Sequence, residues 1–186
     1  MTSQRDLEAL LALSKRGRDK LNRLHDVLTS EGHHGAGATP SAVVYRENKL
    51  RLLRLLDDTG QPRSGPPVLF ITAPVSRYFI VDLLPGRSFA GHVAAAGFDV
   101  YVMDFGQPTS EDRFCDLPYY VDGLIRRCVR RVTALSGAPK TNIVGYCLGG
   151  TLALLYAALQ PSSVRAALTS HTAFQSLLKL RSSGTS

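Results

Sequence analysis

The sequence predicts an α/β domain built on a largely parallel sheet that opens with an antiparallel hairpin. Short apolar runs that suit buried strands alternate four times with longer segments of helical periodicity, an order typical of right-handed crossovers between parallel strands. Before them, two short strands are separated by only two residues, as in a hairpin. With 186 residues, of which 44% are apolar, the chain has the length for one such domain.

The first forty residues differ in composition from the rest. Leucines recur at roughly helical spacing among charged residues in 3–29, which predicts an amphipathic helix. A Gly-rich linker, EGHHGAGATP, follows at 31–40. Its two histidines, His33 and His34, have no further metal ligands beside them, so we interpret them as ordinary linker residues. The chain therefore divides into a helix and linker, 1–40, and a domain, 41–186.

Two segments, 42–46 and 49–55, open the domain and are predicted to pair across a turn at Glu47 and Asn48. In the second segment, leucines alternate with Lys and Arg. A period of two is typical of a strand with one buried face.

The alternation of strands and helices follows. Residues 68–72 (VLFIT) are continuously apolar, as expected for a strand buried on both faces. Two later helices are predicted to end at Gly97 and Gly137, because glycine adopts the left-handed conformation that ends a helix. The remaining elements are predicted from the same signals: a helix near 87–96, a strand at 98–103, a helix at 119–135, a strand at 141–145, a helix at 148–159 and a strand at 164–170.

Positive charge is concentrated in the last third of the chain. Residues 1–122 hold 14 Lys and Arg with all 15 Asp and Glu, whereas 123–186 hold eight Lys and Arg and no acid. A basic segment can bind phosphate groups or nucleic acid. However, four arginines recur at helical spacing, and no groove-reading motif accompanies them. These arginines are Arg126, Arg127, Arg130 and Arg131. We interpret them as a solvated helix face, and we expect no nucleic-acid binding.

The cysteine count and the absence of targeting signals predict a cytoplasmic protein. The sequence has three cysteines, Cys115, Cys128 and Cys147. An odd number of cysteines without zinc-type spacing favours reduced thiols. The N-terminus has no secretory apolar core, and we expect no membrane span.

Cys147 is the candidate reactive residue. It lies in the pattern Gly145-x-Cys147-x-Gly149 between a buried strand and a helix, the spacing of a nucleophile elbow with Cys where Ser is usual. Such a turn strains the central residue, and side chains at the flanking positions would collide with neighbouring elements. Amides at the start of the following helix favour the thiolate. In this arrangement, oxyanion donors come from the amide of Leu148 and from the loop 73–76.

Two other interpretations of these glycines are available. They could serve only close packing of a helix on a strand. A dinucleotide-binding loop requires Gly-x-Gly-x-x-Gly, which the sequence does not match.

Four segments, in order, resemble the catalytic subunit of polyhydroxyalkanoate synthases, closest to the two-subunit type. The resemblance implies an α/β-hydrolase fold and a Cys-Asp-His triad that transfers 3-hydroxyacyl groups from coenzyme A to a growing polyester. It implies a coenzyme A thioester as substrate, with no cofactor and no metal. The segments are 43–55 (VVYRENKLRLLRL), 77–89 (RYFIVDLLPGRSF), 97–108 (GFDVYVMDFGQP) and 142–169 (NIVGYCLGGTLALLYAALQPSSVRAALT).

The resemblance also implies roles for individual residues. By position, Cys147 is the acylated nucleophile, and Val75 and Leu148 provide the oxyanion amides. Asp104 is structural and is not the triad acid. Phe105 stands where the family usually has Trp, a change that keeps an aromatic ring.

The sequence departs from the family after Cys147. No Asp or Glu follows, and the single histidine, His171, comes at the end of the very next strand, too early to act as the triad base. We therefore expect the first half of a synthase, a truncated α/β-hydrolase fold lacking its last strands, arising as a fragment, a shortened reading frame or a decayed gene. Such a chain is expected to be inactive alone and to leave an unpaired sheet edge with apolar surface uncovered.

Two further functions remain open. The first is an esterase or thioesterase of the same fold that uses Cys147. The second is a non-catalytic protein that binds a polyester granule or a synthase subunit through its N-terminal helix and apolar edge. The partners expected are 3-hydroxyacyl-coenzyme A, the granule surface, and a second synthase subunit or a second copy of the chain.

Overall fold

The computed structural model describes residues 37, 39–84 and 86–170, with the backbone alone for Ser170. Three features predicted from the sequence lie outside these residues: the amphipathic helix at 3–29, the linker histidines His33 and His34, and His171.

Six strands form one mixed sheet in the spatial order β1-β2-β4-β3-β5-β6. β2 pairs antiparallel with β1 and β4, and the remaining pairs are parallel. The predicted α/β class, a parallel sheet opened by an antiparallel hairpin, is confirmed. The strands are β1 (Ser41–Glu47), β2 (Leu50–Leu55), β3 (Pro67–Ile71), β4 (Asp99–Asp104), β5 (Thr141–Tyr146) and β6 (Val164–Ser170).

The hairpin turn lies one residue later than the sequence predicted. Glu47 still belongs to β1 and pairs with Leu50, so Asn48 and Lys49 make the turn. Asn48 has φ 51°, a left-handed conformation that Asn tolerates better than most residues. Glu47 is also held in place by Arg127, whose guanidinium donates to both carboxylate oxygens at 2.7 and 2.8 Å.

Helices cover both faces of the sheet. The predicted helix at 119–135 is π-helical over Tyr119–Ile125 and becomes α-helical only afterwards. As predicted, Gly97 (φ 92°) and Gly137 (φ 69°) follow two of the helices in the left-handed region. The α-helices are α1 (Phe89–Ala95), α2 (Arg126–Ser136) and α3 (Leu148–Leu159).

The first helix begins later than expected because of its cap. The Ser88 side chain accepts a hydrogen bond from the Gly91 amide at 2.7 Å, which fixes Ser88 as the residue before α1. Two short 3₁₀ segments were not predicted from the sequence: Tyr78–Val81 and Ser110–Phe114.

The core consists of two apolar layers, one on each face of the sheet. α2, α3 and the π-helical segment cover one face, and α1 with Tyr78–Val81 covers the other. β3 is buried along its whole length, as its apolar run predicts. The four arginines at helical spacing are all exposed, which confirms the solvated face. Of the helices described, none combines the length and apolarity needed to cross a bilayer.

Candidate active site

Cys147 lies at a sharp turn between β5 and α3. Its backbone has φ 56° and ψ −129°, a combination that non-glycine residues adopt only where the surroundings enforce it. The side chain is exposed, and Leu148 begins α3 directly after it. This geometry holds a thiol outward at the start of a helix, as a nucleophile elbow does.

The glycines around Cys147 leave no room for a side chain. A Cβ on Gly145 would lie 2.5 Å from the Gly150 Cα and 2.7 Å from the Gly149 carbonyl oxygen. A Cβ on Gly149 would lie 2.1 Å from the carbonyl oxygen of Ile71. These distances are far below van der Waals contact, so the turn requires glycine at both positions.

The loop predicted to supply an oxyanion donor follows β3, the strand that pairs with β5. Ile71 pairs with Gly145, so the ends of these strands lie side by side. The Ser76 amide donates to the Ala73 carbonyl at 2.9 Å and closes a tight turn. Val75 in this turn is 72% exposed and Leu148 is 46% exposed. The sheet thus brings Val75, Cys147 and Leu148 to the carboxyl end of its parallel strands. The roles of these three residues remain predictions.

The topology of the sheet also favours ligand binding at the carboxyl end of β3 and β5. After β3 the chain crosses to β4 on one side, and after β5 it crosses to β6 on the other. Ligands of open α/β sheets bind where the connections diverge in this way, at the carboxyl ends of the strands.

The buried carboxylate of Asp104 is satisfied by an ion pair and a backbone hydrogen bond. It is fully buried, its Oδ2 accepts from the Arg51 Nε at 2.9 Å, and its Oδ1 accepts from the Gly106 amide at 3.1 Å. The ion pair joins β4 to β2, and together with the Gly106 amide it occupies both carboxylate oxygens. This is the structural arrangement that the family resemblance implies for Asp104.

A cavity of about 430 Å³ opens beside Val75. Phe105, Tyr119, Tyr120 and Cys115 are among its lining residues, and Cys147 is not. The sequence does not predict this cavity, because its walls come from four separate segments of the chain. The only local signal was the tyrosine pair after Pro118, which lies in the segment that proves to be π-helical.

The other two cysteines differ from Cys147 in their surroundings. Cys128 is buried in the core between α2 and the sheet, and burial, with the nearby Glu47 carboxylate, raises the pKa of its thiol to about 12. Cys115 is half-buried at the end of a 3₁₀ segment.

Comparison with protein families and curated relatives gives consistent matches. A family model described as the alpha/beta hydrolase fold matches residues 78–182. A poly(3-hydroxyalkanoate) polymerase subunit PhaC of Haloferax mediterranei is 40% identical over 79% of this chain and 30% of its own length. The subunit of the same name from Allochromatium vinosum is 39% identical over 72% of this chain and 38% of its own. The chain thus spans about a third of the length of these relatives, and the predicted resemblance is confirmed.

Solved structures with a similar arrangement are more distant. A putative lipase from Acinetobacter baumannii has a TM-score of 0.49 at 19% identity, over 70% of this chain and 40% of its own. A thioesterase domain from the curacin biosynthetic pathway has a TM-score of 0.48 at 16% identity, over 69% and 43%.

Proposed function

The chain belongs to the alpha/beta hydrolase fold family, and on that premise we propose that it carries the acyl-accepting part of a polyhydroxyalkanoate synthase. In this proposal Cys147 takes a 3-hydroxyacyl group from a coenzyme A thioester and passes it to a growing polyester. The observation that carries the proposal is a cysteine, in place of serine, in the strained elbow conformation. The names and identity of the polymerase relatives support the choice of substrate.

The first half-reaction needs only a thiolate and oxyanion donors. The Cys147 sulfur bonds to the carbonyl carbon of the incoming thioester, and the negative charge moves to the carbonyl oxygen. The amides of Val75 and Leu148 donate to that oxygen. When the carbonyl re-forms, the bond to the coenzyme A sulfur breaks, coenzyme A leaves as its thiolate, and the acyl group stays on Cys147.

The second half-reaction also needs a base. A hydroxyl at the end of the polyester attacks the acyl-Cys147 carbonyl and loses its proton to a base as the new ester bond forms. The bond between the acyl carbon and the Cys147 sulfur then breaks, which returns the Cys147 thiolate. Among residues 148–186 the sequence offers His171 and no Asp or Glu. We therefore propose that these 186 residues acylate but do not polymerise unless another polypeptide supplies an Asp-His pair.

The proposed setting follows from the substrate and the product. The polyester is insoluble and the thioester is a cytoplasmic metabolite, so we place the reaction in the cytoplasm at a granule surface. A synthase subunit, or the later part of a related synthase, is the partner that would complete the triad.

Complementation tests this function. The 186-residue chain is co-expressed with the part of the Allochromatium vinosum subunit that it does not match, and coenzyme A release and polymer are measured. We expect polymer, and we expect Cys147→Ala to abolish it. Release of free 3-hydroxy acid with no polymer would instead establish a thioesterase, and complementation that survives Cys147→Ala would refute the proposal.

A further inference from the structure

The cavity beside Val75 is not used by the chemistry described so far. Its volume of about 430 Å³ lies within the range typical of small-molecule sites. Its lining residues Val75 and Phe105 follow β3 and β4, at the carboxyl end of the parallel strands, where Cys147 also lies. Val75 belongs to the cavity wall, and its amide is one of the two proposed oxyanion donors. An acyl group whose carbonyl oxygen accepts from that amide therefore begins at the wall of the cavity.

The walls suit an uncharged, aliphatic group. Leu50, Phe105 and Leu124 are buried apolar side chains of the lining, and Tyr120 packs edge-on against Phe105 with ring centroids 6.0 Å apart. Three of the four charged lining residues are already engaged: Lys49 forms an ion pair with Asp112, and Glu47 forms one with Arg127. The fourth, Glu111, is exposed to solvent at the rim. Because the inner walls are apolar and most of the rim charges are paired, the cavity favours apolar contact over binding of an ion.

The π-helical segment shapes one side of this cavity. Tyr119, Tyr120 and Leu124 all come from Tyr119–Ile125 and all line it. π-helical turns are rare, and those that occur lie frequently at functional sites. Here the wide turn lies immediately beside the cavity.

We propose that this cavity receives the aliphatic chain of the acyl group, and that Cys115, Tyr120 and Leu124 set the longest chain accepted. This assignment rests on the proposed acylation of Cys147 for its choice of substrate. Cys115 lies half-buried on the lining, so a larger side chain there fills the cavity without replacing a core residue.

The first test compares two variants at one position. Cys115→Ala keeps the cavity open and Cys115→Phe fills it, and both remove the second accessible thiol. Acylation of Cys147 by acetyl-, butanoyl- and hexanoyl-coenzyme A is followed by mass spectrometry. With Cys115→Ala we expect each added methylene to raise the rate by roughly fourfold until the cavity is full. With Cys115→Phe the hexanoyl rate falls about tenfold and the acetyl rate is unchanged.

Two more variants distinguish a change in the cavity from a general effect on folding. Ser110→Phe adds the same ring to an exposed neighbouring position outside the cavity and should leave the chain-length profile unchanged. Tyr120→Ala widens the cavity and should shift the preference to longer chains. A profile that moves with Ser110→Phe as much as with Cys115→Phe, or one that Tyr120→Ala does not lengthen, would overturn the assignment.

A second reagent separates this inference from the proposed function. N-methyl and N-hexyl iodoacetamide alkylate a thiol without any acyl transfer, and peptide mapping reports the rate at Cys147. If thioesters fail to react but N-hexyl iodoacetamide labels Cys147 faster in Cys115→Ala than in Cys115→Phe, the cavity assignment stands and the synthase proposal falls. If both variants show the same chain-length profile with both reagents, the cavity assignment is wrong.

Discussion

Gly149, in the first turn of α3, lies directly against the end of β3, so that a Cβ on it would be 2.1 Å from the carbonyl oxygen of Ile71. The obstacle is backbone of a fully buried strand, which cannot rotate away as a side chain could. This contact sets how closely α3 approaches the sheet and therefore where Cys147, two residues earlier, is held. The elbow is thus a consequence of packing between three backbone segments.

We expect Gly149→Ala to lower the free energy of unfolding by about 3 kcal/mol, the upper end for overpacking in a closely packed site. Gly123→Ala is the matched control, because its Cβ would make only ordinary contacts, with the end of the Arg127 side chain at 3.5 Å and the Pro118 carbonyl oxygen at 3.7 Å. Urea-induced unfolding of both variants measures the difference. Equal stabilities would show that α3 can move away from β3 at little cost.

The three thiols should react in the order Cys147, Cys115, Cys128. Cys147 is exposed and Cys115 half-buried. Burial raises the pKa of Cys128 to about 12, so only about one molecule in ten thousand carries its thiolate at pH 8. Brief alkylation followed by peptide mapping gives the order, and the denatured chain, in which the three should react alike, is the control. Labelling of Cys115 before Cys147 would count against the elbow.

Cys128 should also contribute to loss of stability at alkaline pH. Its thiol ionises near pH 9 when unfolded and near pH 12 when folded. Below pH 9 it is neutral in both states and its contribution is fully present. Between pH 9 and 12 the unfolded chain loses a proton that the folded chain retains, so the free energy of unfolding falls by about 1.4 kcal/mol per pH unit.

Cys128→Val isolates this contribution, because the tyrosines that titrate in the same range are present in both proteins. We expect the variant to lose stability less steeply between pH 9 and 10.5 in denaturant titrations. Parallel curves for the two proteins would mean that the Cys128 thiol is not shielded from water.

Most elements of the fold could be predicted because their signals are local. The apolar run of β3, Gly137 after α2 and the glycines around Cys147 each depend on neighbours in sequence. The features that were missed depend on distant partners. Asp82, after the first 3₁₀ segment, accepts from the Thr39 hydroxyl at 2.7 Å across 43 residues.

The same division applies to the candidate site. The elbow could be predicted from five consecutive residues. The cavity could not, since hairpin residues such as Leu50 meet Val75, Phe105 and Tyr120 only after the sheet has formed. Nor does the sequence distinguish a π-helical turn from an α-helical one at Tyr119–Ile125.

The sheet ends at β6 with apolar side chains exposed. Within the residues that the structure describes, no strand pairs with the outer side of β6. Leu168 on this strand is 60% exposed and Leu159 on α3 is 63% exposed. An open parallel edge beside apolar surface favours association with another chain.

We expect the purified 186-residue chain to self-associate, and Leu168→Lys to raise the monomer fraction several-fold in sedimentation velocity. A charge on an edge strand opposes pairing with another edge. Leu117→Lys is the control, because Leu117 is similarly exposed but lies at the start of a helix, outside the sheet. An unmodified chain that sediments as a monomer would show that this edge is not an association surface.

The most direct test of the central claim is the site of acylation. The unmodified chain is incubated with 3-hydroxybutyryl-coenzyme A, its intact mass is followed with time, and the modified peptide is identified. We predict the gain of one 3-hydroxybutyryl group, on Cys147, with no addition to the Cys147→Ala variant and no polymer formed. Acylation at Cys115 instead, or a Cys147→Ala variant acylated as fast as the unmodified chain, would contradict the assignment of Cys147 as the nucleophile.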